Sequence, residues 1–171
     1  ELLSQKGYLF QTTDDDGNEI DEVFTKKDFE KRFLSEETNR IFCETFIKNA
    51  KRDPYTNEIG KSLVFCVSQK HAGKITQILN EYADAMFPGK YNSDFAVQVT
   101  SSIDGSQQMT VDFSNNVLNG NSKSDDYYKT SKTRVCVTVG MMTTGYDCTD
   151  LLNIAMMRPI YSPSEFIQMK G

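Results

Sequence analysis

At 171 residues the chain is long enough to bury one sizeable core, with room for one compact domain and an extension. Its 19 Lys and Arg stand against 24 Asp and Glu, a net charge of −5 and a pI near 4.9, so bulk attraction does not hold nucleic acid and any such contact must come from a few local groups. No apolar run approaches the ~20 residues that span a bilayer, and the first residues lack the form of a signal peptide, which predicts a cytoplasmic protein without membrane contact.

Taken in order, Tyr8-Leu-Phe-Gln-Thr and Glu19-Ile-Asp-Glu-Val-Phe-Thr flank Asp14-Asp15-Asp16-Gly17-Asn18, a strong turn signal, and predict a β-hairpin. Asp14, Asp16 and Asn18 alternate as calcium ligands do. Gly17 nevertheless falls at the fourth position rather than the sixth, and Thr25 stands where the bidentate Glu belongs, so a plain turn is preferred. Asp28 to Leu34 and Glu36 to Lys51 show helical spacing, with Phe29, Phe33, Ile41, Phe42, Phe46 and Ala50 in apolar stripes and Ser35 as an N-terminal cap for the second helix.

From Lys61 the texture changes to βα units. Ser62-Leu-Val-Phe-Cys-Val67 is near-continuously apolar, as expected of a strand covered on both faces, and Ala72 to Phe87 carries a helical face of Ile75, Ile78, Leu79, Tyr82, Ala83 and Met86 that Pro88-Gly89 closes. A strand over Phe95 to Val99 and a short helix over Gln107 to Leu118 follow. Asn119 to Lys132, apolar only at Tyr127 and Tyr128, reads as a solvated loop. Val135 to Val139 and Asn153 to Met157 read as strands, and Ser162 with Pro163 starts a last helix. Strands near 62, 95, 134 and 153 with helical connections predict an α/β fold built on a parallel sheet.

Few of the chemical motifs survive inspection. Gly60-Lys61-Ser62 looks like the end of a phosphate-binding loop, but the motif needs glycine at 55, where Tyr55 stands, and Lys61 leads into a strand instead of a helix. Lys61 is then a charged residue ahead of a strand. His71, the one histidine, confines any Ser or Cys triad to its own surroundings, where no motif supports one, so a structural hydrogen bond at a helix start is preferred. Asp147 and Asp150, three apart, are weak evidence for acid–base chemistry. The cysteines, Cys43, Cys66, Cys136 and Cys148, show no C-x-x-C spacing and suit buried free thiols rather than disulfides or a zinc site. More telling are three strand exits that carry hydroxyls: Ser68, Thr100-Ser101 and Thr143-Thr144. Each alone suits capping or a turn. On one sheet edge together they suit a ledge that tracks phosphates.

These exits, in this order, resemble the second RecA-like motor domain of a superfamily 2 helicase or translocase, most closely that of the restriction (R) subunit of type I restriction–modification enzymes. Lys61-Ser-Leu-Val-Phe-Cys-Val-Ser-Gln-Lys-His71-Ala72 resembles motif IV, and Val97-Gln-Val-Thr100-Ser101 the next strand with its Thr-Ser exit. Arg134-Val-Cys-Val-Thr-Val-Gly-Met-Met-Thr-Thr144-Gly145-Tyr-Asp147 resembles motif V, and Arg158-Pro-Ile-Tyr-Ser162-Pro-Ser-Glu-Phe166-Ile-Gln168-Met-Lys-Gly171 runs into motif VI. The resemblance implies a RecA-like three-layer domain over 60–171, with 1–59 as the hairpin and helices that connect it to the first motor domain.

Roles follow from the same resemblance. Gly145 would let the backbone approach the nucleotide, Asp147 would accept hydrogen bonds from ribose hydroxyls, and Gln168 would face the ATP cleft between the motor domains. Ser68, Thr100, Ser101, Thr143 and Thr144 would contact the DNA backbone, the last four holding the phosphates of one strand, with double-stranded DNA as the partner. ATP and Mg2+ would serve the intact subunit, and the methylation and specificity subunits would be its partners. The chain begins without Met and stops at Gly171 ahead of the motif VI arginines, so it reads as a fragment that lacks phosphate loop, Mg2+-binding acids and nuclease site and is inactive alone. Another superfamily 2 DNA or RNA helicase, and a non-catalytic α/β binding module, are the alternative readings.

Overall fold

Along the strand Ser62–Cys66, Val64 and Cys66 turn to one face and Leu63 and Phe65 to the other, and all four are buried. A strand with period-two side chains that is apolar on both faces needs cover on both, and the computed structural model of this chain supplies it. Residues 8–13, 19–24, 35–123, 127–142, 147–160 and 162–170 are described. Within them four parallel strands, β3 (Ser62–Cys66), β4 (Ala96–Gln98), β7 (Val135–Thr138) and β8 (Asn153–Met157), form one sheet in the order β4-β7-β3-β8.

Helices α1 (Glu36–Asn49) and α2 (Gln69–Met86) cover the face that carries Val64, Cys66, Val135 and Val137. Helices α3 (Ser106–Ser114) and α4 (Pro163–Lys170) cover the other, where Phe113 and Met169 pack on Leu63, Phe65 and Cys136. The result is the expected α/β fold, a parallel sheet flanked by helices, consistent with a RecA-like domain. The remaining strands, β1 (Tyr8–Thr13), β2 (Glu19–Phe24), β5 (Asn121–Lys123) and β6 (Lys129–Ser131), make two separate antiparallel pairs. β1 and β2 pair as the hairpin reading requires; the Asp14–Asn18 turn with its calcium-like spacing, and the helix expected over Asp28 to Leu34, lie outside the described residues.

Local chemistry sets the helix ends. Ser35 caps α1 by accepting from the Thr38 amide (3.2 Å), with Glu36 and Glu37 in the first turn. Ser68 caps α2 by accepting from the His71 amide (3.2 Å), which starts that helix at Gln69, ahead of the expected Ala72. After α2 the chain turns at Gly89, whose φ of +73° suits glycine. α3 ends at Ser114 rather than Leu118, because Asn116 takes a left-handed φ of 64°, a conformation asparagine tolerates, and Leu118 then drops into the core.

Gly60 sits where two loops close on one another. A Cβ there would lie 2.5 Å from Leu152 Cδ1, 2.8 Å from Leu152 Cβ and 2.9 Å from the Lys51 carbonyl oxygen. Leu152 can swing its tip away, but its Cβ and the Lys51 backbone cannot follow without shifting their loops. Gly60→Ala is therefore expected to cost about 1–2 kcal/mol, read as a lower midpoint in urea unfolding with the slope unchanged.

Two expectations need correction. The stretch 119–132 is not simply a solvated loop: β5 and β6 pair within it, and Thr130 and Ser131 are fully buried. Its strands are built of Asn, Ser, Lys and Thr, so no apolar alternation marks them, and side-chain hydrogen bonds hold them instead. Ser131 Oγ accepts from the Leu118 amide (3.1 Å), Asn119 Nδ2 donates to Thr133 Oγ1 (2.9 Å) and Ser122 Oγ donates to Glu58 Oε2 (2.7 Å). Lys61, read as a simple charged residue ahead of a strand, is buried, and its ammonium is fully engaged in the interior.

Candidate functional site

All four strands of the sheet run parallel, so their carboxyl ends share one edge. Ser68 follows β3 there, Thr100 and Ser101 follow β4, and Arg158 follows β8. Between β4 and β3, β7 ends in a turn in which Thr138 Oγ1 donates to the Met141 carbonyl (3.2 Å) and Met142 takes a φ of 63°. Thr143, Thr144 and Gly145, the middle of the predicted ligand loop, lie outside the described residues.

Two of the hydroxyls on this edge, those of Ser68 and Thr100, are already engaged. Ser68 caps α2, whose first turn holds no acidic residue to compete for an anion. Thr100 is buried, and its Oγ1 shares a hydrogen bond with Ser102 Oγ (3.1 Å) and accepts from Gln98 Nε2 (3.3 Å). The same Gln98 amide donates to the Gln69 carbonyl (3.1 Å), tying the exit of β4 to the start of α2. Ser101 is exposed beside it. Ser68, Thr100 and Ser101 therefore do share one polar edge, with Ser101 facing solvent. At the neighbouring exit Arg158 donates to the Val139 carbonyl (3.3 Å) and pairs with Glu165, fastening α4 to the end of β7. Gln168 is exposed on α4, one residue before the buried Met169.

Asp147 is placed differently. It is exposed, and its carbonyl accepts from Ser114 Oγ (2.6 Å) at the end of α3. The last turn of α3 touches Lys61, just ahead of β3, so Asp147 lies on the return towards the amino edge and apart from Ser68 and Thr100. Asp150 does not stand free beside it: its Oδ1 accepts from Lys61 Nζ (2.8 Å) and Cys148 Sγ (3.3 Å). Burial pushes the Asp150 carboxyl up, but the Lys61 ammonium and the hydrogen bonds outweigh it and leave the group below its ordinary range.

Sequence reasoning missed the charged groups beneath the amino edge. Arg134 has no exposed surface. Its Nε donates to the Ile59 carbonyl (2.7 Å), its Nη1 to Thr130 Oγ1 (2.8 Å) and the Ser131 carbonyl (3.0 Å), and its Nη2 pairs with Asp53 Oδ2 at 3.6 Å. Burial raises Asp53, yet the Tyr128 hydroxyl (2.6 Å), the amides of Tyr55 and Thr56 and the Arg134 charge outweigh it and hold the carboxyl below its ordinary value. Nearby, a cleft of about 350 Å³ is lined by Glu58, Lys90 and Lys132 among others, but Lys90 pairs with Glu58 (2.5 Å) and Lys132 with Asp94 (2.8 Å).

His71 is buried, its Nδ1 accepts from the Val67 amide (3.3 Å) and its Nε2 bonds Asn39 Oδ1 (3.0 Å), which is the structural role preferred from the sequence. The four thiols are free, and burial pushes each of them up, Cys43 to about 12. Among the described residues no three His, Cys, Asp or Glu side chains gather to hold a metal ion, and no helix is long and apolar enough to cross a membrane.

No protein-family model matches the sequence. The chain is 26% identical, over 175 aligned positions that take in all of it, to the type I restriction enzyme EcoKI endonuclease subunit of Escherichia coli (strain K12), and it spans 13% of that protein. It also superposes, with a TM-score of 0.58 and 23% identity, on a fragment structure assigned to the HsdR subunit of a type I restriction enzyme from Vibrio vulnificus YJ016, covering 82% of this chain and 24% of that one. That structural likeness bears on the fold. Over its whole length the chain is thus distantly similar to type I restriction enzyme HsdR subunits.

Proposed function

We propose that this chain is part of the ATP-dependent DNA translocase motor of a type I restriction endonuclease R subunit. The observation that carries the reading is the order of the exits on one parallel sheet: the Ser68 cap, the Thr100-Ser101 exit, the β7 turn that leads to Thr143 to Asp147, and the Arg158 exit into α4. They follow the motif IV to motif VI order of such a motor, and the whole-length similarity to the EcoKI endonuclease subunit supports it.

On this reading residues 60–171 form the second RecA-like domain, and 1–59 connect it to the first, with α1 of the connection packed onto the sheet. Ser68, Thr100, Ser101, Thr143 and Thr144 hold the backbone of double-stranded DNA. Backbone amides at the start of α2, unopposed by any acidic first-turn residue, add their dipoles to that contact. Gly145, Asp147 and Gln168 serve the ATP cleft against the first domain of the same chain, and the exposed Asp147 carboxylate is free to accept from ribose hydroxyls. ATP with Mg2+ and the methylation and specificity subunits belong to the intact assembly. The side chains described here orient and bind, and the groups for hydrolysis and DNA cleavage come from other parts of the subunit.

The test is Asp147→Ala in the intact subunit. Because the side chain is exposed and only the backbone carbonyl holds Ser114, folding should be unaffected, while ATP-dependent translocation falls about tenfold or more, equivalent to ~1.4 kcal/mol of lost stabilisation. Unchanged ATPase and translocation rates would sink the assignment.

A further inference from the structure

The Gly60-Lys61-Ser62 sequence fails as a phosphate loop, and the structure gives it a different task. The Lys61 side chain is 1% exposed, and its Nζ meets three oxygens: the Phe113 carbonyl (2.5 Å), Asn116 Oδ1 (2.8 Å) and Asp150 Oδ1 (2.8 Å). An ammonium has three N–H donors, so each has an acceptor. The Phe113 ring lies 4.7 Å from the nitrogen. The same residue holds the β7–β8 connection through its backbone, since its carbonyl accepts from the amides of Leu152 (2.9 Å) and Asn153 (3.2 Å). Ser114, at the end of the helix whose last turn Lys61 grips, holds the Asp147 carbonyl.

We infer that Lys61 is a positioning residue: its buried ammonium fixes the Asp147–Leu152 stretch, and with it the exposed Asp147 carboxylate, against the end of α3. A buried ion pair adds little stability over an apolar pair of the same shape, but it accepts only one arrangement of its partners. Here one end of the arrangement is the start of a central strand and the other is the stretch that returns from the β7 turn. Sliding that stretch by one residue would part Asp150 from the ammonium, leaving a half-buried carboxylate without its counter-charge and the third N–H of Lys61 without its acceptor. The anchor stands on the contacts themselves; its consequence for ATP rests on the nucleotide role proposed for Asp147.

Lys61→Met and Asp150→Asn in the intact subunit test this by hydrogen exchange and by steady-state ATPase kinetics. In Lys61→Met the amides of residues 147–152 should exchange about tenfold faster or more while those of β3 and β7 stay protected, and KM for ATP should rise about tenfold with kcat at saturating ATP held within about twofold. Asp150→Asn, nearly isosteric, should shift the same readouts in the same direction by less, and it decides the matter if Lys61→Met does not fold. Unaltered exchange over 147–152 overturns the anchor. So does equal acceleration across the whole sheet, which marks a general stabilising role. Faster exchange with an unaltered KM upholds the anchor and removes the nucleotide role of Asp147 instead.

Discussion

Arg134→Met is expected to destabilise the chain by about 3–5 kcal/mol, because the substitution leaves buried partners of a lost charge unpaired. The guanidinium is wholly buried and serves four groups: the Ile59 and Ser131 carbonyls, Thr130 Oγ1 and the Asp53 carboxylate. Methionine fills much of the volume and offers no donor to any of them. Asp53 would keep the Tyr128 hydroxyl and the Tyr55 and Thr56 amides, but it would lose its counter-charge while burial continues to oppose its ionised form. Thermal unfolding followed by circular dichroism should show a midpoint roughly 10–15 °C lower for a domain of this size. A double variant, Arg134→Met with Asp53→Asn, should cost less than the sum of the two single changes, because no carboxylate is then stranded. A single-variant loss below about 1 kcal/mol would mean that the buried pair contributes no more than an exposed one.

The prominence of Arg134 explains what was and was not legible in the sequence. The parallel sheet could be read because its strands are apolar on both faces, and Leu63, Phe65 and Cys136 on one face with Val64, Cys66, Val135 and Val137 on the other state that pattern without any tertiary information. Ser35 and Ser162 could be read as helix starts because capping is a local rule, and each does accept from an amide in the first turn; Ser68 caps in the same way, starting its helix three residues ahead of the expected Ala72. The arrangement that joins the loops was invisible because it depends on partners far apart in the chain. Lys61 meets Asp150 across 89 residues, and Arg134 meets Ile59 across 75. A charged residue directly ahead of an apolar strand looks the same in sequence whether it snorkels to solvent or turns inward. The β5–β6 pair escaped for a related reason: Thr130 and Ser131 are buried by their hydrogen bonds with Arg134 and Leu118, and binary patterning does not register polar burial.

For the candidate site the hydroxyl exits were legible in position, and the bonds that already occupy them were not. Thr100 appears in sequence as a hydroxyl at the end of a strand, available to a phosphate. In the fold it is buried and shared with Ser102 and Gln98, which leaves Ser101 as the hydroxyl directed to solvent at that exit. A phosphate oxygen reaching this edge would therefore meet Ser101 and the backbone amides around it before Thr100, which also keeps the exit in shape.

Acid should weaken this fold in a window that belongs to its single histidine. His71 has no exposed surface, and burial pushes its pKa down from 6.5 to about 4. Its ring is held as the neutral form, with Nδ1 accepting from the Val67 amide and Nε2–H donating to Asn39 Oδ1. Below the unfolded value the unfolded chain takes up a proton that the folded chain refuses, so stability rises with pH across this window and is lost as pH falls from about 6.5 towards 4. Between pH 7 and pH 5 the loss attributable to this group is about 2 kcal/mol by that linkage. The carboxylates do not obscure it. Asp53, Glu58 and Asp150 are all held below their ordinary values of 3.8, 4.5 and 3.8, so the stability they contribute is lost mainly below about pH 5. Urea unfolding of the native chain and of His71→Gln at pH 7, 6 and 5 separates the histidine from the rest. The variant starts less stable, since it gives up the ring contacts, but its stability should be nearly flat over this range while that of the native chain falls. Parallel slopes in the two proteins would show that His71 titrates in the folded state much as it does in the unfolded one.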